Sequence, residues 1–307
     1  MTETPRHFKD ISQFDLKTLN SILSHADDLK KRLKAGEVPE QPLRGKVLAM
    51  IFEKPSTRTR VSFDVGMRQL GGETIVLSGS DMQLGHSESI ADTARVLSRF
   101  VDAIMIRTSE HSRMEELAHY SSIPVINALT DDTHPCQIMA DLMTFQEHNG
   151  SLEGKKFAWT GDGNNVLHSF LEASAKFGFS VHVAHPRGCA PQQSYVDWAN
   201  QNGANIIIGN DPISAVKDAD AVITDCWVSM GQDDKADASN IFEPFQVNSG
   251  LMAHAKKDAI FMHCLPAHRG EEVTDEVMDG PQSVVFDEAE NRLHAQKGVL
   301  AWCFGLI

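Results

Sequence analysis

A two-domain α/β fold, with each domain a parallel sheet flanked by helices, is the architecture this sequence predicts. Three observations lead to it. Short runs rich in Ile and Val alternate with helix-like stretches almost throughout the chain. The runs are apolar on both alternating faces, as strands covered by helices on either side must be. The chain has 307 residues, which at roughly 100–200 residues per domain suffices for two cores.

In chain order, a first series of strands is expected at Lys46–Phe52, Thr74–Leu77, Ala103–Arg107 and Pro124–Ala128. A second series is expected at Lys156–Trp159, Ser180–His185, Asn205–Ile208, Ala221–Thr224, Ala259–His263 and Val284–Phe286. Helical patterns lie between them at Thr59–Leu70, Ser89–Phe100, Arg113–Ser121, Gln137–His148, Val166–Phe177 and Gln192–Asn202. The polar, Gly-containing stretch His148–Gly154 follows a long helix and reads as the domain junction. The domains are thus expected at 1–148 and 151–290. Residues 291–307 close the chain with a helix at Asn291–Phe304, whose docking partner the pattern does not give. Gly231–Asn240 is the most loop-like and acidic segment and reads as a surface loop.

Composition narrows the function. Hydrophobic residues at 41% and charged residues at 23% describe an ordinary globular protein. Lys and Arg number 28 against 42 Asp and Glu, a net charge of −14, so the overall field repels phosphate. Nucleic acid and anionic membrane surfaces are therefore not expected as main partners, although a small anion in a local basic pocket remains compatible. The opening residues carry acids and no apolar core, so no secretory or transit signal is expected. No apolar run approaches the ~20 residues of a membrane span. The five cysteines are odd in number and never spaced as C-x-x-C, which fits reduced thiols in a cytoplasm.

Six segments carry candidate chemistry, and each follows the carboxyl end of an expected strand. Ser56-Thr57-Arg58-Thr59-Arg60 opens a helix with three hydroxyls and two arginines. Helix N-termini suit a phosphate through free N–H groups, and an arginine fork adds two bonds. A capping serine with solvated arginines would account for any one of these residues, but hardly for five in a row. No P-loop spacing occurs, so the anion should be small. Arg107 closes an apolar strand, which alone is as often mere surface. His134 and Gln137 flank Pro135 at a helix start, which alone could be only a cap. Gly161-Asp162-Gly163-Asn164-Asn165 suggests a dinucleotide turn, but Val166 stands where the third glycine belongs and no acid follows the next strand. A nicotinamide enzyme is disfavoured, and the segment reads as a tight turn presenting amides such as Asn165. Asp225, with Ser229 and the Met230 backbone, could receive a substrate ammonium and further polar groups, or could be a capped strand-end turn. His263 and Cys264 are neighbours on extended chain and point to opposite faces, so no shared metal is expected.

Open α/β sheets bind ligands at the carboxyl ends of their strands. The basic groups Lys54, Arg58, Arg60 and Arg107 fall in the first domain, and Asp225 with Asn165 in the second. A cleft between the domains, with an anionic phosphate compound on one wall and an amine on the other, is the expected site.

Ser56-Thr57-Arg58-Thr59-Arg60 with His134-Pro135-Cys136-Gln137 resembles the carbamoyl phosphate signature of the aspartate/ornithine carbamoyltransferase family. Asp225 with Ser229-Met230-Gly231, and His263-Cys264-Leu265-Pro266, resemble its ornithine branch, and the likeness spans nearly the whole chain. His86-Ser87 departs from the Arg-Gly of that pattern, while Gln83 is kept. The resemblance implies that Ser56, Thr57, Arg58 and Thr59 hold the phosphate, with Gln83 supplied by a neighbouring subunit. It implies that Arg107, His134 and Gln137 bind the carbamoyl group, that Arg292 touches carbamoyl phosphate, and that Cys264 and Leu265 contact carbamoyl phosphate and lie beside the reacting amine. It implies Asn165, Asp225, Ser229 and Met230 for ornithine, with Arg107, His134 and Cys264 as the catalytic set. No cofactor or metal is implied. A homotrimer or a multiple of trimers is, as is a terminal helix returning to the first domain.

The residue inventory suits that chemistry. Arg107, His134 and the Thr59 hydroxyl could stabilise an oxyanion on the carbamoyl group while Arg58 neutralises departing phosphate. Putrescine or N-acetylornithine as acceptor, and a non-catalytic carbamoyl phosphate or amino-acid binding protein, are the competing readings. Aspartate would need more cations at the acceptor site. Arginine synthesis is the expected direction.

Overall fold

The computed structural model describes residues 4–38, 40–79, 88–227 and 239–307. It divides into two compact units, Met1–Met143 with Glu290–Ile307, and Thr144–Ala289.

The first α-helix of the first unit is α1 (Leu16–Lys34), to which the alternation above assigns no element. Asp15 caps it by accepting from the Thr18 N–H at 2.8 Å, and Leu19, Ile22, Leu23 and Ala26 form its buried stripe. Lys31, Arg32 and Lys34 in the last turn complement the helix dipole. There follow β1 (Val47–Phe52), α2 (Thr57–Gln69), β2 (Glu73–Ser78), α3 (Ile90–Leu97), β3 (Ala103–Arg107), α4 (His111–Tyr120), β4 (Val125–Leu129) and α5 (Pro135–Asn149). The four strands are parallel in the order β2-β1-β3-β4. β1 and β3 are central and almost wholly buried, which explains why they read as unbroken apolar runs. Ala49, Ile51, Ile104, Ile106, Met114 and Leu117 pack together beside this sheet.

The second unit holds β5 (Lys156–Thr160), α6 (Asn165–Phe177), β6 (Ser180–Ala184), α7 (Gln193–Gln201), β7 (Asn205–Gly209), α8 (Pro212–Val216) and β8 (Ala221–Thr224). Short helices α9 (Ser239–Phe242) and α10 (Ser249–Met252) precede β9 (Ile260–His263), and α11 (Asp275–Met278) follows it. Its parallel sheet runs β7-β6-β5-β8-β9. Phe157 sits among Phe145, Phe170 and Phe179 with ring centroids 4.5–5.2 Å apart.

Helix α12 (Val285–Cys303) overturns one expected element. Val284–Phe286 is not a strand: the chain makes one isolated bridge, Ser283 to Phe261, and turns helical at Val285. The closing helix therefore begins six residues earlier than Asn291. Its C-terminal part belongs to the first unit, where it lies against α1. Gly298 permits that approach, since a Cβ there would stand 2.6 Å from the Ile22 carbonyl oxygen. Lys30 Nζ donates to Asn291 Oδ1 at 2.8 Å beside the same contact. Among the described residues, no helix is long and apolar enough to cross a membrane.

Candidate active site

Both sheets reverse direction of growth at one place. In the first unit, strand order changes side between β1 and β3. In the second it changes between β5 and β8. Neighbouring connections diverge at such switch points and leave a crevice at the strand ends.

At the first switch point, Ser56 caps α2. Its Oγ accepts from the Thr59 N–H at 3.3 Å, a type of bond worth about 0.5–2 kcal/mol to a helix. The first turn thus carries Thr57, Arg58 and buried Thr59 at a positive helix end. Arg107 ends β3, where its carbonyl accepts from the Glu53 N–H at 2.9 Å. The Glu53 carboxylate accepts from the Thr108 hydroxyl and, at 3.1 Å, from Arg113, tying the end of β1 to the segment after β3. α12 delivers Arg292 to this place. Its Nη1 donates to Gln137 Oε1 at 2.6 Å and its Nη2 to Thr59 Oγ1 at 3.1 Å. Gln137 Nε2 donates in turn to Asp141 Oδ1 at 2.8 Å. Gln137 is thereby tied to both Arg292 and Asp141, and its Nε2 carries a second N–H.

Arg107, His134 and Arg292 are each at most 5% exposed. Burial, followed by the charges of Arg292, Arg107 and Arg58, holds the His134 imidazole well below its ordinary pKa. His134 is therefore neutral at physiological pH, able to donate from one ring nitrogen without adding charge. Three guanidinium groups, two of them buried, act on one buried imidazole, an arrangement whose chemistry suits an anion. The other two members of the expected basic patch differ in their surroundings. Arg60 is exposed, and Lys54 is matched by Asp131 at 2.5 Å.

At the second switch point, Asp225 directly follows β8. Oδ1 accepts from the Cys226 backbone N–H at 2.8 Å and from Cys264 Sγ at 3.0 Å, and Oδ2 accepts from Asn164 Nδ2 at 2.6 Å. Asn164 also caps α6, with Oδ1 accepting from the N–H groups of Val166 and Leu167 at 3.0 and 3.3 Å. The turn before it is tight: a Cβ on Gly163 would stand 2.2 Å from the Pro191 nitrogen. Asn165 is half-buried in the first turn of α6. The sequence points to Asn165 and passes over Asn164, whose cap position is the local signal that marks it.

Cys264 and Leu265 leave β9 beside Asp225. Burial, then Asp225 and Cys226, push the Cys264 thiol well above its usual pKa, so it stays protonated and donates to the carboxylate. Leu265 adopts a left-handed φ of 59°, and its N–H donates to His263 Nδ1 at 2.9 Å. His263 points away from Cys264, with Nε2 3.1 Å from Oε1 of the fully buried Glu272. Glu272, which the sequence did not single out, also accepts from the His268 N–H at 2.5 Å and so clamps the loop from both ends. Gln83, Ser229 and Met230, and the His86-Ser87 departure, lie outside the described residues.

Comparison with known proteins places both halves. Residues 6–147 match the family profile described as aspartate/ornithine carbamoyltransferase, carbamoyl-P binding domain, and residues 153–303 match the Asp/Orn binding domain of the same family. A protein of Brucella suis named ornithine carbamoyltransferase is 68% identical over 97% of this chain and 95% of its own. One of the same name from Agrobacterium fabrum is 65% identical over 99% of each. The solved ornithine carbamoyltransferase of Pyrococcus furiosus superposes with a TM-score of 0.95 at 51% identity, covering 100% of this chain and 99% of that one. With both domain profiles matched in order and relatives alike over nearly their whole length, the chain belongs to the aspartate/ornithine carbamoyltransferase family.

Proposed function

We propose that this chain transfers the carbamoyl group of carbamoyl phosphate to the δ-amine of L-ornithine, giving L-citrulline and phosphate. The observation that carries the reading is the cluster of Arg58, Arg107 and Arg292 charges around buried, neutral His134. Ser56, Thr57, Arg58 and Thr59 hold the phosphate at the start of α2. Arg107, His134 and Gln137 address the carbamoyl oxygen, and Arg292 bridges toward the phosphate.

The acceptor is read by the second unit. Asp225 takes the α-ammonium, Asn165 with Ser229 and Met230 the remaining polar groups, and Cys264 and Leu265 border the reacting amine. The neutral amine nitrogen attacks the carbamoyl carbon. As the N–C bond forms, negative charge grows on the carbamoyl oxygen, where Arg107 and His134 stabilise it. The C–O bond to phosphate then breaks, Arg58 meets the leaving charge, and phosphate carries away the proton shed by nitrogen. Cys264 forms no covalent bond in this scheme, consistent with a thiol that stays protonated. Family membership supports extending the proposal to a homotrimer or multiple of trimers with Gln83 reaching a neighbour's site. It likewise supports 1–148 as the carbamoyl phosphate domain, 151–290 as the ornithine domain, a cytoplasmic location and arginine synthesis.

The test is incubation with carbamoyl phosphate and, separately, ornithine, putrescine, N-acetylornithine or aspartate, with ureido product and phosphate measured. Citrulline from ornithine, at a rate well above any other amine, is the expected outcome. Product chiefly from another amine, or none from any, would overturn the proposal.

A further inference from the structure

The second unit holds a group of metal-ligating side chains that the transfer chemistry does not use. Cys226 Sγ, a ring nitrogen of His268 and a carboxylate oxygen of Glu272 all lie within 4.8 Å of one another. A second, independent observation points to a ligand at this place. Glu272 is fully buried and its Oε1 is well served, by His263 Nε2 at 3.1 Å and the His268 N–H at 2.5 Å. Its Oε2 is buried and has no hydrogen-bond partner among the described residues, the His268 Nδ1 standing off at 3.7 Å. Native interiors seldom leave a carboxylate oxygen in that condition.

A neighbouring trio, Asp225, Cys226 and His263, also has its ligand atoms within 4.8 Å of one another but is already committed. His263 uses both ring nitrogens, toward Glu272 and the Leu265 N–H. Asp225 uses both oxygens, toward Asn164, Cys226 N–H and Cys264. In the first trio, by contrast, the carboxylate oxygen Oε2 has no hydrogen bond among the described residues and the His268 side chain is half exposed, which gives an ion and a water a way in.

We propose that Cys226, His268 and Glu272 form a binding site for a single zinc-like divalent cation, with water as fourth ligand. One sulfur, one nitrogen and one oxygen donor are the set that zinc takes in tetrahedral sites with an open position, where neighbouring donors stand roughly 3.3–3.6 Å apart. The 3.7 Å between His268 Nδ1 and Glu272 Oε2 is already close to that spacing. Cys226 Sγ now donates to the Pro266 carbonyl at 2.9 Å. On binding, its S–H bond breaks, a sulfur–metal bond forms and the proton passes to solvent. Two nearby carboxylates, Asp225 and Glu272, favour the cation, while the guanidinium of Arg269 is engaged by Asp275 and Asp279 at 2.6–2.7 Å. This inference does not depend on the acceptor or donor of the transfer reaction.

Chelator-treated full-length protein titrated with cobalt(II) tests it, because a thiolate on cobalt gives a charge-transfer band in the near ultraviolet. One equivalent of cobalt should raise the band, and zinc(II) should abolish it by competition. Cys226→Ser should lose the band, and His268→Ala should weaken cobalt binding at least about tenfold. Cys264→Ser, which alters the neighbouring thiol, should keep it. Circular dichroism on each variant separates loss of the site from loss of the fold. No band in the unaltered protein, or a band that survives Cys226→Ser, or one abolished by Cys264→Ser alone, would overturn the proposal.

Discussion

At the switch point between β1 and β3 the first unit gathers guanidinium groups, and at the one between β5 and β8 the second gathers a carboxylate. The scaffold is the same in both: parallel strands, a following turn, a helix N-terminus. What differs is the sign of the charge, and the manner of holding it is shared. Arg292 is positioned by a hydroxyl and an amide carbonyl, those of Thr59 and Gln137. Asp225 is positioned by an amide, a thiol and a backbone N–H. In each of these bonds the partner is neutral, so the bond orients the charged side chain without itself neutralising it. Elsewhere charges are cancelled, as where Lys256 meets Asp220 at 2.8 Å. A side chain that is to meet a charged ligand needs the first kind of support, and the second kind suffices for a solvated surface.

The largest expected effect comes from breaking the positive half. Arg107→Leu should lower kcat about 10²–10³-fold, the loss typical of removing one donor from a developing oxyanion. Arg107→Lys, which keeps the charge but loses the planar fork, should recover only part of it. Full recovery would mean that charge alone matters there. Next comes the negative half. Asp225→Ala should raise KM for ornithine ~30-fold or more, as removal of a partnered, desolvated charge does. Carbamoyl phosphate affinity, read by calorimetry, should change less than twofold. Equal loss for both substrates would break the division of labour between the units. Asn164→Ala should act in the same direction with smaller size, a ~5–10-fold rise in KM for ornithine. It should also lose about 0.5–2 kcal/mol of stability because the α6 cap goes with it.

Legibility in the sequence followed the range of the signal. Strands buried on both faces announce themselves locally, and β1, β3, β5 and β8 stand within a residue or two of their expected bounds. Val284-Val285-Phe286 misleads because three apolar residues are too few to tell a strand from a helix start. Val285 is buried while Phe286 is 64% exposed, as the first turn of α12 allows. Helix α1 had its signature in Leu19, Ile22, Leu23 and Ala26, but it precedes the first strand and so falls outside the strand–helix alternation. The chemistry-bearing strand ends were readable because each apolar run stops at a polar residue. Their supports were not: Asn164 to Asp225, Thr59 and Gln137 to Arg292, and Cys226 to His268 and Glu272 are meetings across long sequence separations. Only the assembled fold creates them.

The smallest expected effect tests how far the positive bias of the first unit extends along α12. Lys297, five residues beyond Arg292, is buried, and its Nζ donates to an amide oxygen, Gln69 Oε1, at 2.9 Å. Burial lowers its pKa to about 8. An unfolded lysine titrates near 10.4. Between those values the unfolded chain holds a proton that the folded chain lacks, so this residue's contribution to stability rises with pH across that window. Below about pH 8 the folded protein carries a desolvated ammonium. Lys297→Met removes that burden while conserving much of the volume, and half-buried Gln69 can turn to water. At pH 7 the variant should gain on the order of 1 kcal/mol, or ~2–4 °C in thermal midpoint. Its advantage should shrink as pH climbs from 8 toward 10. An advantage constant across that range would mean that packing rather than charge sets the difference. A variant less stable at pH 7 would mean that the buried ammonium supports the unit, so that its positive charge is structural as well as substrate-directed.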